Sequence, residues 1–338
     1  FLRQLQKEKP NHYVPQESLE RTLWGLKFRS PIMNSAGMFK NGEGYEVMFR
    51  QGAAAFLGGT TTWNARPGNE KLGVKLPFAP YPKSGMASNW LGLPNLGDEV
   101  VAATYAKMEK HPNFPLGHSL MASPDLGEEE KLEYLVKGMK LYEAAGVDWL
   151  EFNVSCPNTE VGVMDFQTIR TGLEYVQHHF LDQRSLNGRA RSLPVVVKFS
   201  NDIDFDSVQD LMELLFELGY DGVNIGNASA NYDLHERSVL SSEKGLFRYF
   251  CETFGGGVSG RRLKPISLSL SEEAVRYLQV DPPEQEFHVF RTGGIESWQD
   301  LQISEDAGIS MNQWFTGYFD RFSQHGHKLY QHLLEKEK

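Results

Sequence analysis

Cysteine is nearly missing. Cys156 and Cys251 are the only two in 338 residues, too few for a disulfide scaffold or a cysteine-rich zinc site. A surplus of positive charge is missing as well. Lysine and arginine total 34 against 44 aspartates and glutamates, a formal net charge of −10. No basic surface is left to release counterions from a nucleic-acid backbone, so no nucleic-acid partner is expected. That balance leaves room for a small anion held by a few local cations. No stretch approaches 18 uninterrupted apolar residues, so no membrane-spanning helix is expected. The start carries no secretory signal pattern. It opens on Phe1 rather than Met, which leaves an upstream piece, and an amphipathic anchor within it, open. Also lacking are a P-loop, a G-x-G-x-x-G dinucleotide fingerprint, and H-E-x-x-H or paired-histidine spacing; no metal is expected.

What is present is ordinary in bulk: 40% hydrophobic and 23% charged residues, as in a typical soluble protein with a full-sized core. Length alone allows two domains or one α/β barrel. Short apolar runs rich in β-branched or aromatic residues read as strands at Pro31–Ala36, Ala53–Gly58, Leu116–Met121, Trp149–Asn153, Val195–Phe199, Gly222–Gly226, Phe287–Thr292 and Gly308–Phe315. Between them lie helical patterns, such as Glu128–Ala145 and Asp206–Leu218. Eight strand–helix units predict a (β/α)8 barrel, with an open doubly wound sheet as the alternative, since periodicity does not distinguish closure from an open edge. No linker or repeat divides the chain. Residues 1–23 read as a polar N-terminal extension with a short helix at Leu2–Lys9, and 24–338 as one barrel domain. Gly59–Leu96, with five prolines after Thr61, is too rich in breakers for a helix and reads as a long irregular connection, functional or disordered.

In such barrels the active site lies at the C-terminal ends of the strands. After the fourth strand stand Asn153-Val154-Ser155-Cys156-Pro157-Asn158-Thr159, a thiol between two carboxamides. After the sixth come Gly226 and Asn227-Ala228-Ser229. The long connection contributes Asn89-Trp90-Leu91-Gly92-Leu93-Pro94-Asn95. Carboxamides offer donors and an acceptor together, which suits a planar ligand with amide edges. Each loop taken alone also reads as an Asx turn with an inert cysteine or a solvated side chain; their convergence on one face is what carries the functional reading. Lys40 follows the first strand, in Gly37-Met38-Phe39-Lys40-Asn41-Gly42-Glu43. Lys198 sits inside the apolar fifth strand, where its charge requires a partner such as a cofactor anion.

Two Gly-rich turns come late, Gly255–Gly260 and Arg291-Thr292-Gly293-Gly294-Ile295, and Thr316-Gly317 closes the eighth strand. Barrels commonly hold phosphate with the loops after strands seven and eight, through backbone N–H groups and a helix N-terminus. Glycine there lets backbone approach without a Cβ clash.

With those residues in view, residues 22–335 resemble the FMN-dependent dihydroorotate dehydrogenase family. The specific pieces are Asn153–Thr159, Asn34–Gly44, Asn89–Asn95, Gly256–Gly260 and Thr292–Ile295. The resemblance implies oxidation of dihydroorotate to orotate in pyrimidine biosynthesis, with Cys156 as base and hydride transfer to FMN N5. It implies a catalytic role for Lys198, facing the flavin pyrimidine edge, and substrate contacts from Lys40, Asn89, Gly92, Leu93, Asn153, Asn158, Asn227 and Ser229. For FMN it implies Ala36, Gly37, Lys40, Thr60, Ser119, Asn153, Lys198, Gly226, Gly257, Ser259, Gly260, Gly293, Gly294, Phe315, Thr316 and Gly317. Two branches are mixed. Cys156, Leu93 and Phe315 resemble the soluble branch. The Lys40 turn, Arg66–Asn69 and Gly256–Gly260 resemble the quinone-reducing branch, as does the presence of an N-terminal segment. A quinone is favoured over fumarate as acceptor, with peripheral membrane contact through the N-terminus; with a soluble acceptor the location would be cytoplasmic. A related FMN barrel acting on another dihydropyrimidine, and a non-catalytic flavin-binding barrel, are the alternatives.

Overall fold

Val195–Phe199 is an unbroken apolar run except for its lysine, and it is buried along its whole length. Leu116–Leu120 and Trp149–Asn153 are buried throughout as well. Strands covered on both faces belong to a parallel sheet under helices. A computed structural model describes residues 5, 8, 10–155, 165–184, 186 and 191–335, and in it these runs are neighbours in such a sheet. Numbered along the chain, the strands are β1 Arg21–Leu23, β2 Leu26–Phe28, β3 Ile32–Asn34, β4 Phe56–Thr61, β5 Phe78–Tyr81, β6 Met86–Asn89, β7 Leu116–Leu120, β8 Trp149–Asn153, β9 Val195–Phe199, β10 Gly222–Ile225, β11 Gly257–Gly260, β12 His288–Thr292 and β13 Met311–Trp314. Eight of them form one sheet in the order β3-β13-β12-β10-β9-β8-β7-β4, with parallel neighbours.

The two ends of that order meet across a seam. Gly37 N donates to Gly59 O at 2.6 Å and Ala54 N to Ile32 O at 2.9 Å. Between them Asn34 uses its carboxamide as a stand-in ladder, donating to Leu57 O at 2.6 Å and accepting from Leu57 N at 3.2 Å. The sheet is therefore a (β/α)8 barrel, and the open-sheet alternative falls. Every strand expected from the sequence is present within a few residues. The helical patterns become Glu128–Ala144 and Val208–Glu217, whose buried faces carry Leu135, Val136 and Met139, and Leu211, Leu214 and Leu215. Among the described residues no helix is long and apolar enough to cross a membrane.

The lumen is layered, because alternate residues of each strand face inward. Its N-terminal end is filled by the antiparallel β1–β2 hairpin, whose Leu23, Trp24 and Phe28 cluster with Met33, Leu57, Trp149, Val196, Phe290 and Met311. Trp24 Nε1 donates to Asp221 O at 3.2 Å, pinning the plug. This hairpin straddles the 23/24 boundary expected for an N-terminal extension. Most of the expected Leu2–Lys9 helix lies outside the described residues; Leu5 packs into the core, and Glu8 meets His327 Nε2 at 2.5 Å.

The Gly59–Leu96 connection is not irregular throughout. It contains β5 and β6, which pair antiparallel, and β11 adds to the other side of β6. Pro80 is tolerated because β5 is an edge strand, where a missing N–H breaks no ladder. Likewise Gly257–Gly260, expected as a turn, is a strand. Tyr81, Trp90, Phe247, Phe254 and Val258 form a separate small core between this sheet and helix Ser241–Phe254. The assembly stands over the C-terminal mouth of the barrel and brings Asn89 and Ser259 to it.

Candidate active site

A cavity of about 900 Å³, counted out to its open mouth, occupies that end. Sixteen residues expected from the sequence line it: Ala36, Gly37, Lys40, Thr60, Asn89, Leu93, Asn153, Lys198, Asn227, Ser259, Gly260, Gly293, Gly294, Phe315, Thr316 and Gly317. They come from the ends of seven barrel strands and from the added sheet with its loop. Cys156 and Asn158 lie outside the described residues; Ser155, at the described end of their loop, is held near the cavity by Asn227.

The carboxamides converge. Asn153 ends β8 opposite Lys198 of β9, and its Nδ2 donates to Thr60 Oγ1 at 3.2 Å. Asn227 Nδ2 reaches Ser155 O at 2.5 Å and Asn153 Oδ1 at 3.4 Å. Asn89 stands across the mouth at the end of β6, its Nδ2 donating to Gly257 O at 3.3 Å. The Lys40 turn is tied to the Asn89 loop, since Leu96 N donates to Asn41 Oδ1 at 3.1 Å.

At the opposite end three backbone segments crowd together. An added Cβ on Gly294, at φ +74°, would meet Lys264 N at 2.5 Å, where helix Lys264–Val280 begins. One on Gly317 would meet Ile295 O at 2.1 Å, and one on Gly260 would meet Gly85 O at 2.3 Å. Glycine at these positions is what lets the segments approach so closely along this side of the cavity. The hydroxyls of Ser259 and Thr316 sit 2.8 Å apart there. The chemistry is that of an anion site: hydroxyls, open backbone and a helix N-terminus.

Five expected contacts do not line the cavity. Ser119 is one step behind it, sharing a 3.0 Å hydrogen bond with Thr60. Gly226 serves strand packing, since a Cβ there would lie 1.5 Å from Thr292 O. Gly92 shapes its loop at φ +67°, against Asn69. Gly257 pairs with Asn89 in the added sheet. Ser229 is fully buried and turned away: its Oγ donates to Asp202 Oδ1 at 2.5 Å, and His235 Nε2 lies 2.7 Å from the same oxygen. It braces the loop after β10, and Ala228 faces the cavity instead. Burial lowers the His235 pKa, against the opposing pull of Asp202, consistent with a neutral ring in that brace.

The lining also includes Ser35, Leu91, Thr292 and Ile295, which lie inside the singled-out motif stretches without having been expected as contacts, and Leu263 and Trp314, which belong to no such stretch. Lys198 finds its charge partner within the protein: Glu151 Oε1 is 3.4 Å from its Nζ, and Gln313 Oε1 is 3.3 Å away. Behind Thr61 lies a second buried polar group. Its Oγ donates to Asp98 Oδ1 at 2.5 Å, with His118 Nε2 at 2.7 Å and Tyr142 OH at 2.9 Å.

A closed (β/α)8 barrel with polar groups from many strand ends converging on one mouth is the architecture of a barrel enzyme. The dihydroorotate dehydrogenase family profile matches residues 18–336, and the chain belongs to that family. It is 29% identical over 309 residues to a dihydroorotate dehydrogenase (quinone) of Arthrobacter sp. (strain FB24), covering 90% of this chain and 82% of the relative. Identity is 28% over 297 residues to the Vibrio parahaemolyticus enzyme of the same name, covering 87% and 81%. Among solved structures, the Eimeria tenella DHODH in complex with ferulenol superposes with a TM-score of 0.80 at 20% identity, covering 98% of this chain and 87% of that one. That likeness concerns the fold.

Proposed function

We propose that this chain oxidises dihydroorotate to orotate, in the pyrimidine pathway, with FMN as resident cofactor and a quinone as electron acceptor. The observation that carries the reading is the pairing of a glycine- and hydroxyl-lined side with a carboxamide cluster and Lys198 in one cavity. Family membership and the relatives named as quinone-type enzymes support it. Ser259, Thr316, Gly294 and Gly317 would hold the FMN phosphate, and they fit such a group because two hydroxyls 2.8 Å apart and glycine backbone line the cavity together. When bound, FMN supplies an acceptor for hydride.

The chain's own residues then have separable tasks. Asn89, Asn153 and Asn227 offer donors and acceptors to the amide edges of a pyrimidine ring, and Asn158 joins them by family resemblance. Lys40 offers a cation to a ring carboxylate. Cys156 takes the proton: a thiol with an ordinary pKa near 8.5 gives an accessible thiolate around neutral pH. Lys198 provides a fixed positive charge in a dry site, where such a charge is worth most. Peripheral contact with a membrane through the N-terminal segment belongs to the same reading, because a quinone resides there.

The test is direct. The purified protein, reconstituted with FMN, is expected to be yellow and to bleach when dihydroorotate is added without oxygen. Dihydrouracil should leave it coloured. Steady-state turnover should be faster with a short-tailed quinone than with fumarate at equal concentration. A protein that takes up no flavin, or whose flavin dihydroorotate does not reduce, removes the reading; faster turnover with fumarate removes the acceptor.

A further inference from the structure

The lumen layer just beneath the cavity holds a carboxylate that the proposed reaction leaves without a task. Glu151 stands in the middle of β8, two residues before Asn153, and is 0% exposed. Side chains alternate along a strand, so Glu151 faces the lumen on the same side as Asn153, one layer nearer the hairpin plug. Its two oxygens do different things. Oε2 accepts from Asn224 Nδ2 and from Gln313 Nε2, each at 2.8 Å. Oε1 makes no hydrogen bond among the described residues and has Lys198 Nζ at 3.4 Å. Thr292 Oγ1 completes the frame, lying 2.8 Å from Asn224 Oδ1 and 3.2 Å from Gln313 Oε1. Residues of β8, β10, β12 and β13 thus lock one carboxylate in place and leave its second oxygen aimed at one ammonium.

Packing does not account for this. A buried ion pair is costly to desolvate, and well-packed apolar replacements are often neutral or stabilising. Satisfying Asn224 and Gln313 takes one acceptor oxygen, which a glutamine would supply. What only a carboxylate does here is oppose the charge of Lys198, which is 2% exposed and lines the cavity.

We propose that Glu151 is a positioning residue that holds Lys198 Nζ at the cavity wall and offsets part of the positive charge Lys198 presents to a cofactor bound there. The inference rests on the reading that FMN occupies the cavity. Its consequence is a lower flavin reduction potential than a lone lysine would set, because negative charge accumulates on the flavin as it is reduced and unopposed positive charge favours that state.

The measurement is the midpoint potential of the FMN-loaded protein by spectroscopic redox titration, after FMN binding has been confirmed by absorbance. Glu151→Gln keeps shape and an acceptor oxygen while removing the charge. It is expected to favour reduced flavin about tenfold, a rise of about 30 mV for a two-electron couple. In a Lys198→Gln background the same substitution should change the potential by much less, since the carboxylate acts through the lysine. Glu151→Asp keeps the charge but draws it back by one methylene, so it should shift the potential in the same direction by less; it decides the matter if Glu151→Gln does not fold. Unchanged potentials in the flavin-loaded Glu151 variants overturn the inference, as does an equal shift with and without Lys198. Wild-type protein that holds no FMN defeats instead the reading of the cavity.

Discussion

Ser259 and Thr316 share a 2.8 Å hydrogen bond across 57 residues of sequence. One ends an added sheet and the other begins the helix after β13, so the contact joins the cap over the mouth to the barrel itself. Gly260, Gly294 and Gly317 line the cavity beside it, and it is there that we propose the phosphate of FMN binds.

Gly294→Ala tests that placement. The new methyl would sit 2.5 Å from Lys264 N and in strain at φ +74°. The variant is expected to keep its circular dichroism spectrum and lose at least tenfold in FMN affinity, read by fluorescence titration of the stripped protein. Wild-type affinity in the alanine variant would place the phosphate elsewhere.

Cys156→Ala is expected to bind FMN and orotate and to lose at least a hundredfold in the rate of flavin reduction by dihydroorotate, within the range that general base catalysis supplies. Cys156→Ser should recover part of that rate as pH rises, because a hydroxyl ionises less readily than a thiol. Stopped-flow reduction across pH 6–10 separates the two variants.

Asn227 bonds to Ser155 O and Asn153 in the structure. Asn227→Ala removes one proposed ligand partner and the bond to Ser155 O. Orotate affinity should fall about tenfold or more, the worth of a buried hydrogen bond left unmade, while FMN affinity stays within about threefold. Equal losses for both ligands would make Asn227 a folding residue rather than a substrate contact.

Asp98 makes stability depend on pH with an unusual sign. Burial raises its carboxyl from 3.8 to about 6, against hydrogen bonds from Thr61 and Tyr142 that lower it. The folded chain therefore binds this proton more tightly than the unfolded chain. The resulting stability is present below pH 4 and is lost as pH rises through 6. Asp98→Asn cannot titrate. Urea unfolding at pH 4.5 and 7.5 should show the wild type losing about 2 kcal/mol relative to the variant over that interval; parallel curves would contradict the shift.

The barrel strands were legible because a strand buried on both faces is written as one uninterrupted apolar run. The added sheet was not, because the prolines around β5 are breakers everywhere except on an edge, and edges are decided by what lies alongside. Cavity residues carried by glycine or asparagine loops were visible locally. Ser229 was placed at the site from its neighbourhood to Asn227, yet a hydroxyl points where its partners are, and Asp202 and His235 lie on the other side. The lysine of β9 announced the need for a partner but not its identity. Glu151, Asn224, Thr292 and Gln313 contribute one residue each from four strands, so no local window contains their ring; the trace in sequence was a glutamate and a glutamine inside otherwise strand-like runs.

The hairpin seated under the lumen turns the barrel into a blind alley. Water cannot drain through its floor, so whatever enters must push solvent back out past itself. Trp24 and Phe28, residues of that floor, thereby leave the cavity one way in and out, at the C-terminal ends of the strands.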